Sequence, residues 1–201
     1  MKKTLILTIA LFFSVLASAD ELYDRNLVLD EALQEQNYDK IFPILYPQMI
    51  KKDSKLSEAE ISSDLRWLSS KSELGHVPLY YFLSWKLIKT DIMQSRKYNA
   101  MGRIGLMLDA KECIIPPKIP TIYVMLEGRL FENNMPLRED NAAWAVAVND
   151  ALIWYKNHSD TPPASWYCGD GNTLEQEEAK TAKAAYWQKI KINNDVDLPH
   201  H

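Results

Sequence analysis

The residues with the most definite chemistry in this chain are its two cysteines, Cys113 and Cys168. In an oxidising compartment an isolated pair of cysteines usually closes into a disulfide. Neither has a second Cys or a His at the spacing of a metal site, so the residue types predict a Cys113–Cys168 bond and no metal centre. The four histidines offer little for catalysis. His76 falls at a turn, His158 ends a helix where an imidazolium favours the dipole, and His200 and His201 lie in the tail. The chain has no Gly-x-Ser-x-Gly elbow, His-Glu-x-x-His helix or phosphate loop. The glycine-rich step at Cys168–Gly171 lacks the lysine and preceding strand that a phosphate cradle needs, and no cofactor is expected. Carboxylate pairs such as Glu139 with Asp140, or Glu177 with Glu178, read as helix starts or solvated faces. Nothing in the sequence marks one carboxyl as buried beside another, as a glycosidase site requires.

Four aromatic residues are the candidate binding groups. Trp166 and Tyr167 adjoin Cys168 in a proline-rich loop. Such a pair can cover the disulfide and cap the core, or, on a rigid loop, anchor a partner. Tyr80 and Trp85 pose the same choice between core and contact.

The elements that position these residues read as helices. Lys2 and Lys3, an apolar run from Leu5 to Leu16 and the small residues Ala17–Ala19 have the form of a cleavable signal peptide over residues 1–19, with a mature start at Asp20. That run is too short to span a membrane, so an exported protein without stable membrane insertion is expected, periplasmic or secreted. One helical domain over 20–192 follows, with a flexible tail at 193–201. Apolar residues at helical spacing predict a helix from Leu22 to Gln36, and then a short or kinked one around Ile41–Met49, limited by Pro43 and Pro47. Ser57 and Glu60 form a capping box that opens a helix ending near Gly75. Gly75 suits a left-handed stop, and Pro78 suits the first turn of the next helix. That helix, Pro78 to about Lys89, is apolar on most sides and belongs at the centre of the fold.

Further helices are expected at 95–113, 121–131 and 139–157. Gly102 and Gly105 lie inside the first of them, and each costs about 1 kcal/mol relative to alanine there, which implies a packing reason. A second capping box at Thr173–Gln176 predicts the last helix, to about Lys191. No stretch alternates with period two over six residues. The expected fold is all-α, about seven helices in antiparallel pairs.

Trp67, Leu68, Glu73, Gly75, His76, Tyr81 and Leu83 stand, without a gap, where Sel1-like repeats carry these residue types. The stretch 28–89 thus resembles a Sel1-like repeat, a relative of the tetratricopeptide repeat. It departs from the family at Lys71, Ser72 and Leu79, where small alanines are usual. The C-terminal part, 95–191, holds no second clean copy; Leu152–Lys156 is similar to one step of the repeat but lacks the following glycine. The resemblance implies an α-solenoid or compact helical array with a concave surface for protein partners.

Loss of Lys2 and Lys3 takes the formal charge from −4 to −6. With no basic cluster to neutralise phosphates, nucleic acid is excluded as an expected partner. Two functional expectations follow. The first is a non-catalytic periplasmic binding module with a protein partner, in the manner of an immunity protein that neutralises a secreted antibacterial toxin. The alternative is an envelope enzyme acting on cell-wall material through carboxylates that the sequence does not advertise.

Overall fold

The computed structural model describes residues 21–51, 53–114, 137, 139–158, 164–169 and 172–192, with side chains through Trp187. The expected signal peptide at 1–19, the expected mature start at Asp20, the helix expected at 121–131 and the tail expected at 193–201 lie outside these residues. Among the described residues the protein is all-α, without strands, and carries one disulfide. No helix there is long and apolar enough to cross a membrane. The chain clusters into two compact units that divide between Ser69 and Ser70, within the stretch 28–89.

In the first unit, α1 covers residues 21–34 and α2 covers Tyr38–Leu45. Asn37 caps α2, its side chain accepting from Lys40 N at 3.0 Å. Pro43 lies inside α2, and the helix ends two residues later; α3 is a single turn, Pro47–Ile50. The short, interrupted helix follows from proline's missing donor and its clash with the preceding turn. α4 spans Glu58–Lys71 and opens on the expected capping box. Ser57 N donates to Glu60 Oε2 at 2.7 Å and Glu60 N to Ser57 Oγ at 3.2 Å.

α1 and α4 are clamped by polar bonds. Arg25 Nη2 donates to Asp64 Oδ1 and to Ile44 O, both at 2.7 Å, while Trp67 Nε1 donates to Asp30 Oδ1 at 3.0 Å. Asp64 is fully buried and the Arg25 side chain largely so. Removing one member of a buried pair leaves the other charge uncompensated, at about 3–5 kcal/mol. Asp64→Ala is therefore expected to destabilise the first unit by that order, read as a lower denaturant midpoint at unchanged slope, and an unchanged midpoint would show that Arg25 finds other partners instead.

The second unit begins where α4 ends. A 3-10 turn, Ser72–Leu74, leads to Gly75, whose φ of 79° is the expected left-handed stop. α5, Val77–Leu87, carries Pro78 in its first turn, and every residue from Val77 to Ser84 is buried. This is the central element that its all-round apolar character predicts. α6, Ile92–Asp109, packs against both α5 and α7, Asn141–Asn157. It starts earlier than expected because Asp91 caps it, accepting from Gln94 N at 3.0 Å. Asp140 likewise caps α7 through Ala143 N at 3.0 Å.

The two glycines of α6 have the packing role that their cost implies. A Cβ on Gly102 would lie 2.9 Å from Tyr81 Cε2, and one on Gly105 would meet the Tyr155 hydroxyl and Val77. Tyr80, Met101, Ile104, Val148, Ala151 and Tyr155 form the centre of the core.

α8 is one turn, Ser165–Cys168, and α9 spans Gln176–Ile192. The capping box at Thr173 does not form. Thr173 pairs with Cys113 in an isolated bridge, flanked by bonds from Ile114 N to Asn172 O at 2.9 Å and from Leu174 N to Glu112 O at 2.7 Å. Held extended beside the disulfide, residues 172–174 are unavailable as a helix start, and α9 begins at Gln176.

Candidate functional site

The last turn of α6 and the loop after it present Asp109, Glu112 and Cys113 in succession. Ala110 N bonds to Leu106 O and Glu112 N to Asp109 O, both at 2.9 Å, so the chain leaves the helix in tight turns that face both carboxyls inward. Cys113 is bonded to Cys168, with Cα atoms 5.2 Å apart, and this bond seats α8 on the cluster. Trp166 Nε1 donates to Asp109 Oδ2 at 2.8 Å. Ala164 N donates to Glu112 Oε2 at 2.9 Å. From α9, Lys183 forms an ion pair with Glu112 Oε1. Asp109 is 4% exposed and Glu112 5%.

Burial, reinforced by the Glu112 charge, pushes the Asp109 carboxyl up to about 7, while Lys183 and the indole N–H pull in the other direction. Two converging carboxyls, one of them titrating near neutrality, are a general acid–base pattern. Here, however, the carboxyls are occupied by protein donors and covered by α8. The cluster can store a proton, but it does not present one to an open cleft.

The four candidate aromatics separate by burial. Tyr80 is fully buried, its hydroxyl donating to Ser72 O at 2.9 Å and its ring packed edge-on against Trp154 and Tyr155. Burial, then Glu73, pushes that hydroxyl far above its ordinary value. Tyr80 is therefore a core residue and not a contact anchor. Trp85 is half-buried on α5. Trp166 and Tyr167 are half-buried with ring centroids 5.5 Å apart, and the Trp166 indole N–H is committed inward to Asp109. Burial and the nearby Asp109 push the Tyr167 hydroxyl up.

Two other features bear on function. His158 stacks on Trp154 at 4.2 Å and donates from Nδ1 to Trp154 O at 2.9 Å, capping α7; Trp154 Nε1 donates to Glu73 Oε2 at 3.2 Å. In the first unit, an open cleft of about 740 Å³ lies among α1, α2 and residues 54–57 leading into α4, with Leu22, Val28, Ile44 and Leu56 on its walls. Arg25 borders it but is already bound to Asp64 and Ile44 O. Among the described residues no group of three His, Cys, Asp or Glu side chains is arranged to hold a metal.

Asp109, Glu112 and Lys183 were invisible to sequence reasoning as a site. The one available signal is the position of both acids just ahead of Cys113, whose bond to Cys168 brings a distant segment against that end of α6. Fold and site together define an all-α protein with a disulfide-covered carboxylate cluster. Comparison with protein-family models, characterised proteins and solved structures finds no match to this chain.

Proposed function

We propose that the chain is an exported, non-catalytic binding module for a protein partner, with the α8 segment as its anchor. The observation that carries this reading is the immobilisation of a half-exposed aromatic pair. Trp166 and Tyr167 sit on one helical turn held by the disulfide, by the indole bond to Asp109 and by the Ala164 bond to Glu112. Aromatic anchors dominate interface energies, and a loop ordered before contact loses less entropy on binding. The Sel1-like reading of 28–89 agrees, since that class of repeat serves protein contacts. The acidic balance favours a basic partner by steering encounter. An immunity-type role, neutralising a secreted toxin with a positively charged cleft, is the specific form of this proposal and rests on analogy.

The second reading, an envelope enzyme, has one observation in its favour: Asp109 titrates near 7 beside Glu112. It requires α8 to lift so that cell-wall material can reach them. Hydrolysis of cell-wall fragments by the wild type, abolished in Asp109→Asn, would support it.

The binding reading is tested by capture from the envelope of expressing cells, using a C-terminal tag. The expected result is one stoichiometric protein partner, a retained chain that begins at Asp20, and about thirty-fold weaker retention for Tyr167→Ala, the size of a hot-spot loss of about 2 kcal/mol. Equal retention by Tyr167→Ala would remove α8 as the anchor.

A further inference from the structure

The open cleft of the first unit follows from how its helices end. Pro43 lies near the close of α2 and Pro47 opens α3, because a ring without an N–H cannot continue a helical ladder. With two short helices in place of one long one, a space of about 740 Å³ is left among α1, α2 and residues 54–57. Ligand sites typically enclose about 300–1,000 Å³.

The walls, the backbone and the charge of the cleft together define an occupant. Leu22, Val28, Pro43, Ile44, Pro47 and Leu56 make the walls largely apolar, and Val28 is left 37% exposed among them. Apolar side chains entering the cleft would remove that surface from water. Residues 54–57 belong to no helix, and the backbone N–H and C=O groups of Lys55 and Leu56 bond to no other described residue. Such groups need partners once they are covered, since a buried N–H or C=O left alone is costly. A peptide carries both kinds of partner on its own backbone; a hydrocarbon carries neither.

The charges narrow the choice further. Arg25 is matched by the buried Asp64, at 2.7 Å. Glu60 caps α4 through Ser57, and the side chains of Glu21 and Lys55 make no ion pair or hydrogen bond with another described residue. Two carboxylates against one ammonium leave the cleft with a negative balance, which favours a basic residue in whatever enters.

We propose that this cleft binds a segment of another protein: a short peptide stretch in which apolar side chains flank one lysine or arginine, and whose backbone pairs with Lys55 and Leu56. The cleft lies in the first unit and α8 in the second, so this site does not rest on the function proposed above.

Nuclear magnetic resonance of the isotope-labelled full chain tests it with defined probes. These are blocked pentapeptides with a central lysine and valine, leucine or phenylalanine elsewhere, each matched by a twin with glutamate at the centre. The best lysine peptides are expected to shift the amide signals of Lys55 and Leu56, and to bind about tenfold more tightly than their glutamate twins. Glu21→Lys is expected to remove that preference. Ala59→Trp, which places an indole in the cleft, is expected to weaken the lysine peptides by about tenfold. Both positions are exposed, so neither change disturbs the core, and peptide-free spectra unchanged away from the cleft check this. Tyr167→Ala, in the other unit, is expected to leave peptide binding as it is. The proposal is overturned if no peptide shifts Lys55 and Leu56 at millimolar concentration, if the twins bind equally, or if Ala59→Trp or Glu21→Lys behaves as the wild type. It is also overturned if the same amides shift with protein concentration alone, which would assign the cleft to a second copy of the chain. A loss of peptide binding leaves the α8 reading to its own capture experiment.

Discussion

Replacing Gly105 with alanine is expected to destabilise the second unit by about 2–4 kcal/mol, although alanine is the better helix former by about 1 kcal/mol. The added methyl collides with the Tyr155 hydroxyl and lies 2.5 Å from Val77 Cγ2, so it meets neighbours on α7 and α5 together. Tyr155 cannot simply step aside. Its ring is buried and its hydroxyl donates to Met101 O at 3.0 Å. Either that bond breaks, stranding a buried hydroxyl at about 1–3 kcal/mol, or α6 is pushed off its neighbours, an overpacking cost of similar size. Denaturant unfolding followed by far-ultraviolet circular dichroism checks this, with a lower midpoint at unchanged slope as the expected outcome. A Gly105→Ala protein as stable as the wild type would mean that the helices are not in such close contact.

A second large stabilising feature, outside the core, is the disulfide. Cys113 and Cys168 are separated by 55 residues. In the chain-entropy account, closing a loop of that length stabilises the folded state by about 4 kcal/mol. That is a large share of the roughly 5–15 kcal/mol that holds a typical domain together. The double variant Cys113→Ser, Cys168→Ser is expected to lose about this much in denaturant unfolding and also to lose exchange protection at Tyr167, Cys168 and Gly169. The wild type treated with a reductant should behave in the same way. An unchanged midpoint in both would show that residues 172–174 and the Lys183–Glu112 pair hold the region without the bond.

The parts of this fold legible from sequence are those decided by local chemistry. Eight consecutive buried residues from Val77 to Ser84 announce a central helix, because no orientation of such a helix faces water favourably. Gly75 and Pro78 mark a turn between helices through their backbone restrictions alone. Ser57 and Glu60 cap α4 because both bonds form within one turn. The disulfide follows from having only two cysteines to pair.

Features that depend on distant docking were not legible. Thr173 has the residues of a capping box, yet it is held opposite Cys113, sixty residues away in sequence, by bonds from Ile114 N to Asn172 O and from Leu174 N to Glu112 O. Asp109, Glu112 and Lys183 look like ordinary surface charges of amphipathic helices; only the seating of α8 and α9 turns them inward. Trp166 could be recognised as cover or anchor, but not as an indole committed to Asp109. Tyr80 and Trp85 shared one reading in sequence and separate in the structure, because burial depends on which face α6 and α7 cover.

The central claim is that the pinned α8 turn meets a protein partner, and site-specific photo-crosslinking tests it most directly. A photoreactive phenylalanine analogue in place of Tyr167, with a second placed at the exposed Glu139 as control, would be irradiated in intact cells expressing the full chain. The expected result is one discrete heavier adduct from position 167, containing a single partner protein, and none from position 139. Absence of an adduct at 167, or the same diffuse products from both positions, would contradict the account.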